Sequence, residues 1–331
     1  MKIQRTEYDY HLPVLLDESI EYLFNNNVID NENQTYIDGT LGGGGHAAVI
    51  LQRLDFGGKL FAFDKDKTAI KRATILFEEE IKTPTPSLYL CNSSFSCAKD
   101  ILKEHNISSI DGILLDLGVS SKQLDTSQIG ISYRINCPID MRFDGDSNKL
   151  SAKDILNAYP VDKLSALFFK YGEEPKSNII ANAIAKSRKI RPIETTFDLR
   201  AIIEQCIYGS DKNKLPVLSR IFQALRIEVN NELGELKDAI VNIIPMLKIG
   251  GRIVVISYHS LEDRIVKDIF KEYSFTPKIN KYKIKELSNI TSNIVPKIKP
   301  VLSKPYTPKK EEIERNPRSR SAKMRVGERV V

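Results

Sequence analysis

The sequence predicts an α/β protein: a doubly wound parallel sheet interrupted by an all-helical inserted domain. Three observations carry that expectation. Short apolar runs alternate with helical patterns over the first 116 residues. From Asp125 to Pro216 the apolar runs cease and only helical periodicity remains. A last apolar run, Arg252–Ser257, then reads as a further strand of the same sheet.

Leu12 to Phe24 reads as an amphipathic helix, with Val14, Leu15, Ile20, Leu23 and Phe24 on the apolar side. Thr35–Asp38 is a short strand that runs straight into Gly39-Thr40-Leu41-Gly42-Gly43-Gly44-Gly45-His46, and a helix starts near Ala47. Lys59–Phe63, Ser87–Cys91 and Asp111–Asp116 are the next strands, separated by helices at Thr68–Ile81 and Ala98–His105. Asp66 is read as the cap of the first of those helices. Within the insertion, Ala152–Tyr159, Val161–Phe169, Lys176–Ser187 and Thr196–Cys206 are helical, with Ser151 and Thr195 as caps. A long helix is expected from Leu218 to about Ile244. The domain boundaries follow: a core of residues 1–124 and 217–331, and an insertion of residues 125–216.

The chain has 331 residues, of which 41% are hydrophobic and 28% charged, the profile of a soluble globular protein. No apolar run approaches the ~18 residues that would cross a bilayer. Glu7, Asp9, Asp17 and Glu18 interrupt any signal-like segment. Cys91, Cys97, Cys137 and Cys206 lack paired ligand spacing, and the four histidines form no HxxxH pair, so no metal site is expected. Reduced thiols fit a cytoplasmic protein. The net charge of +6 is uneven: residues 276–331 hold 15 Lys+Arg against 5 Asp+Glu, while the other 275 residues hold 34 against 38. Such a segment suits a polyanion or is a solvated tail. Interleaved Tyr282, Tyr306, Arg315, Arg318 and Arg320 favour RNA.

Four consecutive glycines between a strand and a helix let a ligand approach the backbone at a helix N-terminus. A P-loop would need Gly-Lys-Ser/Thr, and His46-Ala47 follows instead. The dinucleotide fingerprint fits Gly42, Gly44 and Ala47 loosely. S-adenosylmethionine is the third candidate, and the acids favour it. Asp38 ends the first strand, where a carboxylate suits an ammonium and opposes a pyrophosphate. Asp64 ends the second strand, where a ribose-binding acid belongs.

Asp116-Leu117-Gly118-Val119-Ser120-Ser121 follows the fourth strand, and with it the sequence stops being generic. His11-Leu12-Pro13-Val14-Leu15-Leu16, Tyr36 to His46, Asp111 to Ser121, Tyr171-Gly172-Glu173-Glu174, Ser257 to Arg264 and Asn316-Pro317-Arg318-Ser319-Arg320-Ser321 occur together and in order. This chain resembles the bacterial 16S ribosomal RNA (cytosine-N4) methyltransferases across residues 11 to about 329. The resemblance implies a class I methyltransferase core, S-adenosylmethionine as cofactor, and methyl transfer to the exocyclic amine of a cytidine in the decoding centre of the small subunit. Carried over by motif, Gly44, Gly45, His46 and Asp64 would contact the cofactor, Phe95 would lie beside the adenine, and Asp116 and Gln123 would complete the pocket.

Asp116, with the Leu117 and Gly118 carbonyls, is the candidate acceptor for the target amine. Many amino-methyltransferases resemble one another in a [D/N/S]-P-P-[Y/F/W] motif whose aromatic stacks on the base. Asp116-Leu117-Gly118-Val119 has none, so Tyr258 or Tyr133 is expected to supply the stacking; core packing is the competing reading of Tyr258. Arg318 and Arg320 are the candidate RNA contacts. Ser257 and His259 lack the G-x-S-x-G elbow of a hydrolase. The competing functional classes are a nicotinamide oxidoreductase and a non-catalytic RNA-binding or assembly factor.

Overall fold

The computed structural model describes residues 12–24, 33–85, 87–119, 129–145, 149–274 and 298–331. His11, Ser120, Ser121, Gln123 and Tyr282 lie outside them. The chain divides into two compact units, residues 1–118 with 234–331, and residues 119–233. Among the described residues no helix is long and apolar enough to cross a membrane.

The first unit is built on one seven-stranded sheet. Its strands are β1 Thr35–Asp38, β2 Lys59–Phe63, β3 Leu88–Cys91, β4 Ile110–Asp116, β5 Leu247–Ser257, β6 Ile298–Pro300 and β7 Lys323–Arg329, in the order β3-β2-β1-β4-β5-β7-β6. The first five are parallel, and β7 runs antiparallel between β5 and β6. This is the parallel α/β sheet that the sequence predicts, extended by an antiparallel pair. β1 and β4 are short and almost wholly buried, because helices cover both faces of a parallel sheet. One face packs Ile37, Phe61, Ile113, Leu115 and Val255; the other packs Tyr36, Leu60, Leu114, Val254 and Ile256. Alternate residues of each strand thus feed opposite cores. β5 begins earlier than its apolar run, at Leu247, and a register shift between the Ile110 and Gly112 pairings takes up the intervening residues, Gly250 and Gly251 among them.

The second unit is helical. Ala152–Ala158, Val161–Gly172, Ser177–Ser187, Thr196–Gln205 and Asp211–Asn230 bury Leu164, Phe168, Ile180, Leu218 and Phe222 in one cluster. Ser151 with Asp154 and Thr195 with Asp198 form reciprocal capping boxes. The boundary expected at residues 216 and 217 falls inside a helix, since Pro216 lies in Asp211–Asn230; the unit ends at Leu233 instead. The single long helix expected to reach Ile244 is also two. Asn231 takes left-handed angles (φ 50°, ψ 38°) and ends the first, and Glu232–Ile243 follows. Tyr133 packs edge-on against Phe222, with ring centroids 5.7 Å apart, so the core claims it.

The solvated-tail reading of the basic C-terminus is overturned for residues 298–331. β7 is an interior strand, with Met324 and Val326 buried against Val254 and Ile256. Its charges are paired locally: Arg325 donates to Asp263 at 2.6 Å, and Glu328 accepts from Arg252 of β5 at 2.8 Å. Truncating the buried Met324 to Ala is expected to cost roughly 2–5 kcal/mol in urea denaturation. A change within about 0.5 kcal/mol, as for an exposed position, would mean that β7 is not part of the core.

Candidate active site

The site lies where the parallel strands end. Asp38 closes β1, Asp64 follows β2, Phe95 lies in a 3-10 turn beyond β3, Asp116 closes β4 and Tyr258 follows β5. Open α/β sheets gather ligands at this edge, because each strand delivers a loop there. The register places β1 between β2 and β4, so Asp38 is flanked by the strands that carry Asp64 and Asp116.

The glycine turn shapes the middle of the site. Gly44 is left-handed at φ +84° and begins the helix Gly45–Arg53 without any side-chain cap. A side chain there would be strained and would meet the Phe77 ring at 3.0 Å. The first helical N–H groups are therefore left to a ligand. Asp64 holds the turn in place: its Oδ2 accepts from the Gly42 N–H at 2.9 Å and its Oδ1 from the Asp66 N–H at 2.8 Å. Each oxygen keeps a further lone pair for a diol. Asp66 caps the helix Lys67–Leu76 by accepting from the Thr68 N–H, as read from sequence.

Asp38 is fully buried. Its Oδ1 accepts from the Thr40 N–H at 3.0 Å, but its Oδ2 has no partner among the described residues. Burial, with the nearby Asp64 charge, raises its pKa to about 7 against the opposing Thr40 and Ala47 backbone hydrogen bonds. Asp116 is 21% exposed and accepts the Tyr258 hydroxyl hydrogen bond on Oδ1 at 2.7 Å. Its backbone N–H donates to Thr40 Oγ1 at 2.7 Å, which ties the ends of β1 and β4 together. Burial raises Asp116 to about 7, with Asp38 and Glu262 adding to the effect and the Tyr258 hydrogen bond opposing it. Burial, then Asp116, holds the Tyr258 hydroxyl well above its usual range, so it remains a donor. His46 is buried, its Nδ1 3.9 Å from Asp116 Oδ2, and burial lowers its pKa to about 4. A neutral imidazole at that distance does not neutralise Asp116.

Among the described residues, two carboxylates beside a cap-free helix start thus lack a cation. That repels a pyrophosphate and fits the ammonium and sulfonium of S-adenosylmethionine. Phe95 lies against the turn, its Cβ 3.0 Å from where a Cβ on Gly39 would stand. The structure brings together Asp38, Gly44, Gly45, His46, Asp64, Phe95, Asp116 and Tyr258. Arg318 and Arg320 lie on the turn Pro317–Ser321 that leads into Lys323, the partner of Ser257, and so at the same edge of the sheet. Sequence reasoning missed Thr40 and Glu235. Glu235 receives Lys65 at 2.5 Å and the Ser94 hydroxyl at 2.9 Å, linking the loops after β2 and β3. Its only sequence signal is a helix position among ordinary charges.

The sequence profile of the MraW methylase family matches residues 9–330. The chain belongs to the MraW methylase family. Two relatives from strains of Dehalococcoides mccartyi, each named ribosomal RNA small subunit methyltransferase H, are 43% identical. One aligns over 324 residues, 97% of this chain and 87% of the relative; the other over 329 residues, 98% and 88%. An rRNA methylase structure from Streptococcus thermophilus is 10% identical with a TM-score of 0.38, covering 95% of this chain and 93% of that one. The chain is accordingly a methylase whose cofactor is S-adenosylmethionine.

An acid whose pKa is raised by folding holds its proton more tightly in the fold, so its contribution to stability falls as pH rises from about 4 towards 7 and stays lost above. Asp38→Asn removes that loss. It is expected to stabilise the ligand-free protein at pH 8 by on the order of 1–3 kcal/mol, the buried amide offsetting part of the gain, and to leave pH 4 stability nearly unchanged or lower. Thermal melts at both pH values measure the difference. Destabilisation at pH 8 would show that Asp38 has a cationic partner in the ligand-free fold.

Proposed function

We propose that the protein transfers a methyl group from S-adenosylmethionine to the exocyclic N4 amine of a cytidine in the decoding centre of small-subunit ribosomal RNA, acting on the RNA within the small subunit in the cytoplasm. The observation that carries the chemistry is the pair of uncompensated acids, Asp38 and Asp116, ending adjacent strands beside the glycine turn. The relatives' name and the family supply the RNA.

Asp38 would hold the cofactor ammonium, the Gly44 turn and the first N–H groups of the helix Gly45–Arg53 its carboxylate, Asp64 the ribose hydroxyls, and Phe95 would pack on the adenine. His46 packs beneath, and Gln123 belongs to the same pocket by motif. The cofactor supplies an electrophilic sulfonium methyl. The protein's task is to aim a poor nucleophile, since the N4 lone pair is delocalised into the ring. Orientation of this kind contributes about 7–11 kcal/mol in favourable cases. Asp116, the more open of the two acids, would accept a hydrogen bond from N4 and take up the proton that the amine gives up on methylation. The Tyr258 hydroxyl fixes the Asp116 carboxylate for that role, and a Cβ on Gly118 would stand 3.1 Å from the Tyr258 ring. Arg318 and Arg320 meet phosphates at the rim.

Mass spectrometry of small-subunit RNA before and after incubation with protein and cofactor tests the reading. One added methyl on a decoding-centre cytidine, at N4, is expected. Methyl on a ring carbon or ribose, or none on either free RNA or assembled subunits, would contradict it.

Asp116→Asn keeps the shape and one acceptor but loses the charge. Its single-turnover rate at saturating cofactor is expected to fall by roughly 100-fold or more, with a much smaller loss of cofactor affinity. A near-normal rate removes Asp116 from proton transfer. Replacing Arg318 and Arg320 together is expected to weaken RNA binding, with cofactor affinity unchanged. The dependence of binding on log salt should flatten by roughly 1 unit for each phosphate that is no longer neutralised. An unaltered slope would mean that neither arginine pairs with RNA.

A further inference from the structure

The segment Leu12–Leu15 packs against the glycine turn. A Cβ on Gly45 would stand 2.3 Å from Pro13 Cγ, so the proline ring lies directly on the first residue of the turn's helix. The buried His46 ring meets the backbone of Val14. Leu15 is fully buried and left-handed (φ 52°, ψ 38°), a conformation that L side chains rarely adopt. Nothing local explains why this segment keeps such a shape, because the helix it starts, Leu16–Leu23, has no side-chain cap.

The explanation lies 297 residues further along the chain. Glu312 is 9% exposed, and its Oε1 accepts from the Leu15 N–H at 2.7 Å. Asn316, equally buried, donates from Nδ2 to the Leu12 carbonyl at 3.0 Å. These two bonds bracket Pro13 and Val14. Asn316 is itself fixed, since its carbonyl accepts from the Ser319 N–H at 3.0 Å and the Ser319 hydroxyl at 2.8 Å. The Tyr306 hydroxyl adds a third tie, to Glu18 at 3.0 Å, and Tyr306 is anchored on Met324 of β7.

We propose that Glu312 and Asn316 are positioning residues for the cofactor turn: they hold Leu12–Leu15 against Gly45 and His46, so that the C-terminal segment sets the affinity for S-adenosylmethionine. This rests on the reading that the turn holds that cofactor. The segment acts through packing and touches no reacting atom. Coupling of this type is carried by packed side chains and hydrogen bonds, and here the links are the Glu312 and Asn316 bonds to Leu15 and Leu12 and the packing of Pro13 on Gly45. It gives the Asn316–Ser321 motif a role separate from RNA binding: Asn316 and Ser319 face inward, while Arg320 faces solvent.

The test compares full-length Glu312→Ala, Asn316→Ala, Glu312→Gln and Val266→Ala. Val266 is buried in the cluster on the other face of the sheet, so its truncation destabilises the same unit without touching Leu12–Leu15. Two quantities are read well below each melting temperature: the Kd for S-adenosylmethionine, and amide hydrogen exchange in the ligand-free protein. Glu312→Ala and Asn316→Ala are each expected to raise Kd about tenfold, the order that removal of a buried hydrogen bond produces. Exchange should speed up at residues 44–48 while β4 stays protected. Glu312→Gln keeps an acceptor and should restore both readouts, and Val266→Ala should change neither. Wild-type Kd and exchange in folded Glu312→Ala or Asn316→Ala would overturn the proposal, as would an equal loss in Val266→Ala or no rescue by Glu312→Gln. If Glu312→Ala does not fold, Asn316→Ala carries the test. A wild-type protein that fails to bind the cofactor would contradict the functional reading instead, and the exchange data would still decide whether the two residues hold the turn.

Discussion

The structure is organised around two strand-end acids, Asp38 buried and Asp116 partly exposed, that no cation among the described residues neutralises. A carboxylate removed from water normally gains a cation or several hydrogen bonds. Among the described residues, Asp38 has the Thr40 backbone donor on one oxygen and a free Oδ2, and Asp116 has the Tyr258 hydroxyl. The imidazole nearby, His46, is kept neutral by its own burial. Such an arrangement is costly in the ligand-free protein and becomes favourable once a cation arrives. Strain of this sort at a strand edge is the usual mark of a site selected for binding rather than for stability.

The surrounding architecture keeps this charge in place. Parallel strands end together and bring Asp38 and Asp116 side by side, and Thr40 fixes their spacing through the Asp116 N–H. Asp64 clamps the glycine turn from β2. The turn leaves no room for a cap, and Pro13 closes it from the N-terminal side. Antiparallel β7 seals the sheet beyond β5 and carries the C-terminal segment back to the site's edge. Catalytic edge and stable core are therefore one construction in the first unit: the same strand ends that present acids are rooted in Ile37, Ile113, Leu115 and Val255.

Much of this was legible in the sequence, for identifiable reasons. β1, β2 and β4 are apolar runs bounded by glycine or aspartate, and their C-terminal acids stand out because nothing in the run balances them. The helical unit was legible from its caps, Ser151 and Thr195. Its C-terminal boundary was not, because helical periodicity continues through Pro216 and the break depends on one left-handed residue, Asn231. β7 was hidden by charge. Lys323-Met324-Arg325-Val326 alternates as a half-buried strand does, but its cations dominate the composition. The acid that takes up Arg325, Asp263, becomes visible only in three dimensions, as does the pairing of Glu328 with Arg252. Tyr258 and Tyr133 were both offered for stacking, with core packing the competing reading of Tyr258; Tyr133 packs on Phe222, and the Tyr258 hydroxyl bonds to Asp116. The ties from Glu312 and Asn316 span nearly the whole chain, and no local pattern encodes them.

If Asp38 and Asp116 share their protons with solvent near neutrality until a cation binds, cofactor binding must release protons. Calorimetric titration of S-adenosylmethionine, repeated in buffers of different ionisation enthalpy between pH 6 and 9, measures that release directly. Net release near pH 6–7 that declines as pH rises, giving way to proton uptake once the ligand's own α-ammonium titrates at about 8, is the result expected of two acids raised to about 7. Binding without proton release at pH 6–7, and with affinity independent of pH, would contradict the claim that two carboxylates left without a cation define this site.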